Sequence, residues 1–573
     1  MKRILSIFSV AALFVFAACT DKDYDLSDVD TTARFTVKDL VVPVNLDDIT
    51  LDYVLDLKDD SKVKKNGNEY AVIEEGTFSS NTITVNSFTT PGSTTTVSDN
   101  ITINPGSPAP SRGNGVRRDG RICLGSADIP KKATEINASA HNVDASIDSI
   151  YKIGVELQIK LEIQFTGLTN VIDSIDIEEV NIQFIKGLTL TIEEDKGEYD
   201  LNTGIIKIYD AKTTREHKYD LTINITGIDI AKDEKINFSN GNFDIHTTAN
   251  VESGRLALYF DQVKTGITIA DIPTSAGYKL TATIGNGKIT SFSGDIRYDI
   301  TGININPIDL TNIPDMLNQE GTNIELTNPQ IYLSLNNPLI QSGYNVYAQT
   351  GLRLTGNAPY ATAANAIKLN KADNMFVLSP QAPAKNYQGF ENAQHVEFAN
   401  LGKVVSGTSV PKSVSIDVLS PQIPTQTINN FQLGTTLPAV NGKWLFYAPL
   451  DLTDNSFIKY TKSWDDWQDD DLDGLTVEQA TVTCVMSSDV PLDLDVSFTL
   501  LGRQGKLSGS TTIAPKAKDV AINIPLSGTD VSQIYGMTID AKIKGSNQTL
   551  APNQKIEVKN LKAKVSGHYD KKL

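Results

Sequence analysis

The sequence has little of the side-chain chemistry on which most enzymes depend. Its 573 residues include only five histidines and three cysteines, and each histidine is isolated in sequence. No His-Glu-x-x-His, Gly-x-Ser-x-Gly or phosphate-binding glycine motif occurs. We therefore expect a protein that is not an enzyme and requires no cofactor. A carboxylate pair for glycosidic cleavage stays open, because such a pair is defined by its separation in space.

The scarcity of cysteine also excludes a scaffold built on disulfides. Apart from Cys19, the chain has only Cys123 and Cys484, which are 361 positions apart. The sequence leaves open whether these two form one bridge or remain two thiols.

Basic residues are outnumbered by acidic ones, 51 to 69, which gives a formal net charge of −18 at pH 7. This balance argues against nucleic acid and against anionic lipid surfaces as electrostatic partners. Long apolar runs are also missing. After residue 18 there is no stretch of about 18 apolar residues, so we predict no membrane-spanning helix there.

The one apolar segment of note stands at the start of the chain. It follows Lys2 and Arg3, runs to Ala18 and ends at Cys19. A basic start, a short apolar core and small residues before the cut predict a secretory signal peptide over residues 1–18. An ordinary signal peptide followed by a chance cysteine is the alternative.

Cys19 directly after Phe16-Ala17-Ala18 resembles the lipobox of bacterial lipoproteins. Residues 19–34 follow as an acidic tether with aspartates at 21, 23, 25, 28 and 30. This tether resembles the acidic export signal of surface lipoproteins of the Bacteroidota. The resemblance implies that Cys19 is acylated, for example by palmitate. It also implies that the mature chain is held by its acyl chains in the bacterial outer membrane, facing the cell exterior.

The remaining sequence is typical of turn-rich β structure, with 39 Gly and 23 Pro. From Ile153 to Phe165 every second residue is apolar, which predicts a long strand with one buried face. Similar alternation recurs at Val180–Phe184, Leu188–Ile192, Tyr219–Ile225, Leu256–Phe260, Tyr278–Ile284 and Ile296–Ile300. We predict an all-β protein of several antiparallel β-sandwich or open-barrel domains, with long amphipathic strands and very little helix.

Changes in composition divide the chain further. Residues 35–130 form an N-terminal β region, in which the Pro-, Gly- and Ser-rich residues 91–121 are predicted to be a loop or linker. Residues 131–310 form the long-strand antiparallel domain, 311–440 a β region with Asn-Pro pairs, and 441–573 a C-terminal β-sandwich. The Asn-Pro pairs Asn328-Pro329 and Asn337-Pro338 flank an apolar strand, which resembles the strand motif of LEA14/WHy-type β-sandwiches.

Aromatic residues cluster near the carboxyl end. Trp444, Trp464 and Trp467 are the only tryptophans, and Tyr460 lies among them. Flat rings interleaved with aspartates are what a sugar-binding surface needs, because ring faces stack on sugar CH groups while carboxylates accept hydroxyl hydrogen bonds. These four residues therefore form a candidate ligand platform. The alternative is that the tryptophans anchor the core of the last domain.

Asp469, Asp471 and Asp473 alternate and are followed by Gly474. The pattern resembles the first half of an EF-hand or dockerin calcium loop. Position 12 of such a loop would be Ala480 and not the bidentate glutamate, so a full EF-hand is not expected. A calcium loop of another kind and a solvated acidic turn remain as alternatives.

The function predicted from these features is a non-catalytic, lipid-anchored envelope protein that binds a glycan or a protein partner. One alternative is a carrier of an apolar lipid ligand, held in a groove lined by the long strands of residues 150–305. Another is a fimbrial or assembly subunit whose exposed strand edges accept a donated strand.

Overall fold

The computed structural model describes residues 30, 32–43, 48–55, 57–106, 122–141, 143–168, 172, 174–193, 196–213, 216–260, 269–356, 361–408, 410–465 and 474–572. Strand accounts for 66% of the structure and helix for 4%, which confirms the all-β prediction. In the described part of the chain, no helix is long and apolar enough to cross a membrane.

The first half of the chain contains the following strands. They are β1 (Thr32–Pro43), β2 (Ile49–Thr50), β3 (Val63–Asn66), β4 (Glu69–Ser79), β5 (Ile83–Thr84), β6 (Phe88–Thr90), β7 (Ser93–Pro105), β8 (Ile122–Ile129), β9 (Lys132–Ala140), β10 (Ile147–Thr166), β11 (Ser174–Gln183), β12 (Leu188–Ile192), β13 (Glu198–Asp200), β14 (Ile205–Lys212), β15 (Lys218–Asp229), β16 (Ile236–Ser239), β17 (Asn242–Phe260), β18 (Ser275–Ile284) and β19 (Gly287–Asp299).

The second half continues the series. Its strands are β20 (Ile308–Asp309), β21 (Gln330–Asn336), β22 (Ala348–Thr355), β23 (Ala361–Leu369), β24 (Asp373–Ser379), β25 (Gln394–Glu397), β26 (Ser413–Gln432), β27 (Thr436–Leu437), β28 (Asn441–Pro449), β29 (Asp451–Leu452), β30 (Phe457–Trp464), β31 (Leu475–Ser488), β32 (Leu494–Ile513), β33 (Val520–Lys544), β34 (Gln548–Thr549) and β35 (Lys555–Lys572). The α-helices are α1 (Leu51–Leu55), α2 (Pro338–Gln341) and α3 (Leu401–Val404). Short 3-10 helices lie at Ile230–Lys232, Ile269–Asp271 and Asp315–Asn318.

The largest sheet has 18 strands and is organised around β10 and β17. One edge of β10 pairs with β15, and its other edge pairs with β18 and β19 in succession. The predicted alternation is confirmed here. Ile153, Val155, Ile159 and Ile163 are each less than 5% exposed, because successive side chains of a strand point to opposite faces.

Residues 93–105, which composition predicts to be loop or linker, form β7 instead. This strand pairs with β18 along ten residues, from Ser93 to Thr102. Its Ser and Thr residues are exposed or half-buried, while Ile101 and Ile103 are buried. Thr is β-branched and favours strands. A strand with one solvent-exposed face rich in hydroxyl residues nevertheless has the composition of a loop, which explains the wrong prediction. Residues 107–121 lie outside the described residues.

A smaller middle sheet has the order β25-β24-β21-β28-β4-β3. It joins segments from three distant parts of the chain, and among its described strands β24 and β25 pair in parallel while the other pairs are antiparallel. The second Asn-Pro pair follows β21. Asn337 is fully buried, accepts hydrogen bonds from the backbone N–H groups of Leu339 and Ile340, and thereby caps α2. Pro338 occupies the first helical turn, where its missing N–H is not needed.

A terminal sheet of seven strands joins the two ends of the described chain. Its order is β1-β35-β31-β33-β30, with β2 paired to β35 and β32 paired to β33. Ten residues of β1 pair with β35 in antiparallel register, so β1 forms one edge of this sheet. Cys484 lies in β31 and Cys123 in β8, and both are free thiols. Of the two possibilities that the sequence left open, one bridge or two thiols, the structure has two thiols.

Candidate functional site

Trp444, the first residue of the predicted ligand platform, lies in the core. It sits in the middle of β28, opposite Leu333 on one side and Gly76 on the other. The side chain is 3% exposed, and its indole Nε1 has no hydrogen-bond partner. Trp444 therefore offers no ring face to a ligand in this conformation. Tyr460 in β30 is half-buried against the main core, and burial raises the pKa of its hydroxyl.

Of the other platform residues, Trp464 ends β30, where its backbone pairs with Met537. Trp467 lies outside the described residues, as do Asp469, Asp471 and Asp473 of the predicted calcium loop and Cys19. The structure does not test these assignments, which stay predictions. Within the ranges that are described, no group of three or more His, Cys, Asp or Glu residues could hold a metal ion.

The structure brings together four other aromatic residues that the sequence did not indicate. Tyr332 of β21 and Tyr447 of β28 project from the middle sheet on the side opposite to the main core, and Tyr387 and Phe390 of segment 380–393 pack over them. The ring centroids of Tyr387 and Tyr447 are 5.0 Å apart, and those of Tyr332 and Phe390 are 5.2 Å apart. We call these four residues the tyrosine cluster.

The segment that carries Tyr387 and Phe390 is held in place by hydrogen bonds. The backbone N–H of Tyr387 donates to the hydroxyl of Tyr332 at 3.0 Å. The side-chain amide of Asn386 donates to the carbonyls of Glu391 and Ala393. These bonds fix the two rings over the sheet while both remain partly exposed. The segment therefore presents aromatic surface to solvent in a defined geometry.

Polar groups border the cluster on one side. The hydroxyl of Tyr447 donates a hydrogen bond to the Glu69 carboxylate and accepts one from the Asn66 amide at 3.0 Å. Both partners come from the β3–β4 hairpin, whose turn contains Gly67 with a φ of +61°. A glycine accepts this left-handed conformation without strain. The turn sequence thus places a carboxylate and an amide beside an aromatic face.

Asp451 lies two residues beyond the end of β28, and the charge of the Glu69 carboxylate acts on it as well. Burial raises the pKa of the Asp451 carboxyl, and the negative charge of Glu69 raises it further. Its Oδ1 is buried without a hydrogen-bond partner. Among the described carboxyl groups with a resolved pKa shift, this is the one that shifts upward. Perturbed carboxyl groups next to a second carboxylate concentrate at functional sites.

Chemically, the arrangement suits recognition of a polyhydroxylated ligand. Aromatic faces contact apolar ring surfaces, while Glu69 and Asn66 supply an acceptor and a donor at their border. A signal for this site existed in the sequence. Tyr387 and Phe390 are aromatic residues in a polar stretch, as are Trp464 and Trp467. Their partners Tyr332 and Tyr447 lie on β21 and β28, which are more than 100 residues apart in sequence, and alternation does not predict that these strands pair.

No protein family and no curated protein match the sequence. Among solved structures, the chain is similar to a "putative secreted protein" from Parabacteroides distasonis, with 15% sequence identity and a TM-score of 0.33. The match covers 48% of this chain and 89% of the other. A likeness at this level says nothing about function, which is therefore inferred from the residues of the chain itself.

Proposed function

We propose that the chain is a lipid-anchored, non-catalytic protein of the bacterial outer membrane that faces the cell exterior and binds a glycan at the tyrosine cluster. The proposal depends most on one observation. The partly exposed ring of Tyr387 lies 5.0 Å from that of Tyr447, whose hydroxyl is bonded to Glu69. The anchor part of the proposal is supported by the lipobox-like Cys19 and the acidic residues that follow it.

A glycan fits this surface better than a purely apolar ligand does. Sugars present CH faces and hydroxyls together, and the cluster offers rings with a carboxylate and an amide at their border. A small apolar cavity of about 30 Å³ lies elsewhere, lined by Ile300, Leu333, Leu352 and Val418 among others. Pockets for small-molecule ligands usually measure about 300–1,000 Å³, so this cavity cannot hold a lipid.

Binding to a panel of soluble polysaccharides, measured by affinity electrophoresis, tests the glycan proposal. We expect Tyr387→Ala and Phe390→Ala each to weaken retention by about fivefold, because loss of one aromatic contact is worth roughly 1 kcal/mol. Tyr535→Ala is the matched control, since Tyr535 is an exposed aromatic residue on the terminal sheet. Unchanged retention in the Tyr387→Ala/Phe390→Ala double variant, with the melting temperature preserved, would exclude the cluster as the binding site.

The platform at Trp464 and Trp467, with calcium at Asp469, Asp471 and Asp473, is proposed as a second ligand surface. Trp467→Ala in the same assay separates the two surfaces, because it should reduce retention only if the platform binds sugar. Calcium should raise the melting temperature through binding to the native state. A melting temperature that does not change up to millimolar calcium would eliminate the loop as a metal site.

The anchor and its orientation are tested in cells. We expect Cys19→Ala to release the chain from the membrane fraction. We also expect a protease that cannot enter intact cells to remove the wild-type protein while sparing a periplasmic control. Unchanged membrane association of Cys19→Ala would contradict acylation, and full protection of the wild type in intact cells would contradict surface exposure.

A further inference from the structure

The terminal sheet carries a local excess of positive charge that the whole chain does not show. Strands β1 and β35 together contain eight Lys and Arg residues against three Asp and Glu residues. The complete sequence has a net charge of −18. The overall composition therefore does not reveal that these two paired strands are basic.

The pairing register places part of this charge on one face. Lys562 lies between Pro43 of β1 and Thr483 of β31, and Lys564 lies between Val41 and Thr481. Directly paired residues of a sheet share a face. Both lysines are exposed, while Leu561 and Val565 on the opposite face are each 5% exposed. We call Val41, Thr481, Thr483, Lys562 and Lys564 the lysine face.

The charge of the lysine face is not neutralised by its neighbours. Lys559 pairs with Glu557 at 3.1 Å, and Arg34 pairs with Asp570 at 2.8 Å. Neither Lys562 nor Lys564 forms an ion pair with any carboxylate in the described ranges. Val41 beside them is 43% exposed. The face therefore combines two unpaired ammonium groups, two hydroxyls and an apolar side chain.

We propose that the lysine face rests on the anionic headgroups of the bilayer that holds the acyl chains. This proposal rests on the acylation of Cys19. Strand β1 begins at Thr32, and the 13 residues from Cys19 to that point can span at most about 45 Å. The lysine face begins nine residues further along this strand, at Val41, about 30 Å from Thr32. The anchored end of the chain therefore enters the same edge strand that borders the lysine face, and its reach is long enough for that face to lie on the bilayer.

The acidic remainder of the chain does not prevent such contact. At physiological ionic strength the Debye length is about 8 Å, so carboxylates farther away are largely screened. Each lysine close to an anionic membrane contributes about 1 kcal/mol. A single acyl chain holds a protein only reversibly, and a basic surface is a second signal that makes attachment stable.

Co-sedimentation with lipid vesicles tests the proposal on the mature chain carrying Cys19→Ala, which has no acyl group. We expect binding to vesicles in which about a third of the lipid is phosphatidylglycerol, and not to pure phosphatidylcholine. Lys562→Glu/Lys564→Glu should lower the partition coefficient by about 30-fold or more, the equivalent of two lysines. The control Lys279→Glu/Lys288→Glu makes the same charge change at exposed positions of the 18-stranded sheet.

Several results would overturn the proposal. These are no binding by the parent chain, equal binding to both kinds of vesicle, and an equal loss in the two double variants. Binding that appears only after the acidic residues 20–30 are deleted would show that the tether covers the lysines instead of lipid. Because the tested chain lacks acyl groups, none of these results depends on whether Cys19 is modified, which fractionation of the wild type answers separately.

Discussion

Adding one methyl group at Gly76 tests the packing of Trp444. Gly76 lies opposite Trp444 in the pairing of β4 with β28, and a Cβ there would lie 2.6 Å from Cε2 of the indole. Because Trp444 is only 3% exposed, its ring has no room to withdraw. Overpacking of this kind typically costs about 1–3 kcal/mol. We expect Gly76→Ala to destabilise the protein by a similar amount.

The partner substitution makes the prediction specific. Trp444→Leu alone should cost about 2–4 kcal/mol, because large-to-small changes in a core lose contacts and leave a cavity. In that background Gly76→Ala meets no ring. Replacing glycine by alanine where the backbone accepts it stabilises by about 0.4–1 kcal/mol. The interaction free energy between the two substitutions in a double-mutant cycle should therefore be about 2–3 kcal/mol.

Melting curves followed by circular dichroism for the wild type, both single variants and the double variant measure this coupling. One kcal/mol corresponds to about 2–4 °C for a unit of 150–250 residues. Gly76→Ala should lower the melting temperature of the wild type but leave that of Trp444→Leu unchanged or raised. Equal shifts in the two backgrounds, within about 0.5 kcal/mol, would refute the packing of Trp444 on Gly76. Trp444 would then again be a candidate residue of the ligand platform.

Two further predictions concern titratable groups. Since the pKa of Asp451 is raised in the folded protein, stability is lost as the pH rises through that value. Asp451→Asn, which stays neutral, should melt above the wild type at pH 7, and the difference should shrink as the pH falls until the wild-type carboxyl is protonated. A lower melting temperature for the variant at pH 7 would contradict this reasoning. Burial raises the pKa of Cys484 to about 11, so iodoacetamide should modify the half-buried Cys123 of the native protein first and Cys484 only on unfolding. Equal rates, measured by mass spectrometry of the peptides, would contradict the burial of Cys484.

Sequence periodicity predicted the strands and the direction in which their side chains point. The alternation of Ile153–Phe165 follows from the geometry of a half-buried strand, and the burial pattern of β10 agrees with it. Composition predicted less well. Residues 93–105 looked like a loop because Ser and Thr are common both in turns and on the wet face of a strand. What distinguishes the two cases is the partner, β18, which lies more than 170 positions further along the chain.

The candidate site shows the same limit. The hydroxyl of Tyr447 bonds to Glu69 across 378 positions, and Tyr387 reaches the cluster from a segment with no clear periodicity. Alternation tells which residues of a strand share a face, but not which strand lies next to it. The tryptophans were conspicuous in sequence because they are rare. Rarity does not distinguish a ligand-binding ring from a core ring, and burial assigns Trp444 to the core.

Net charge is an equally incomplete guide to partners. The value of −18 argued against an anionic surface because it sums every charge on the chain. A membrane, however, interacts with the charges that lie within about a Debye length of it. The register of β1, β35 and β31 selects which charges those are, since it aligns Lys562 and Lys564 on one exposed face beside the second half of β1. Net charge can therefore exclude a partner that interacts with the molecule as a whole, but not a partner that contacts a single face.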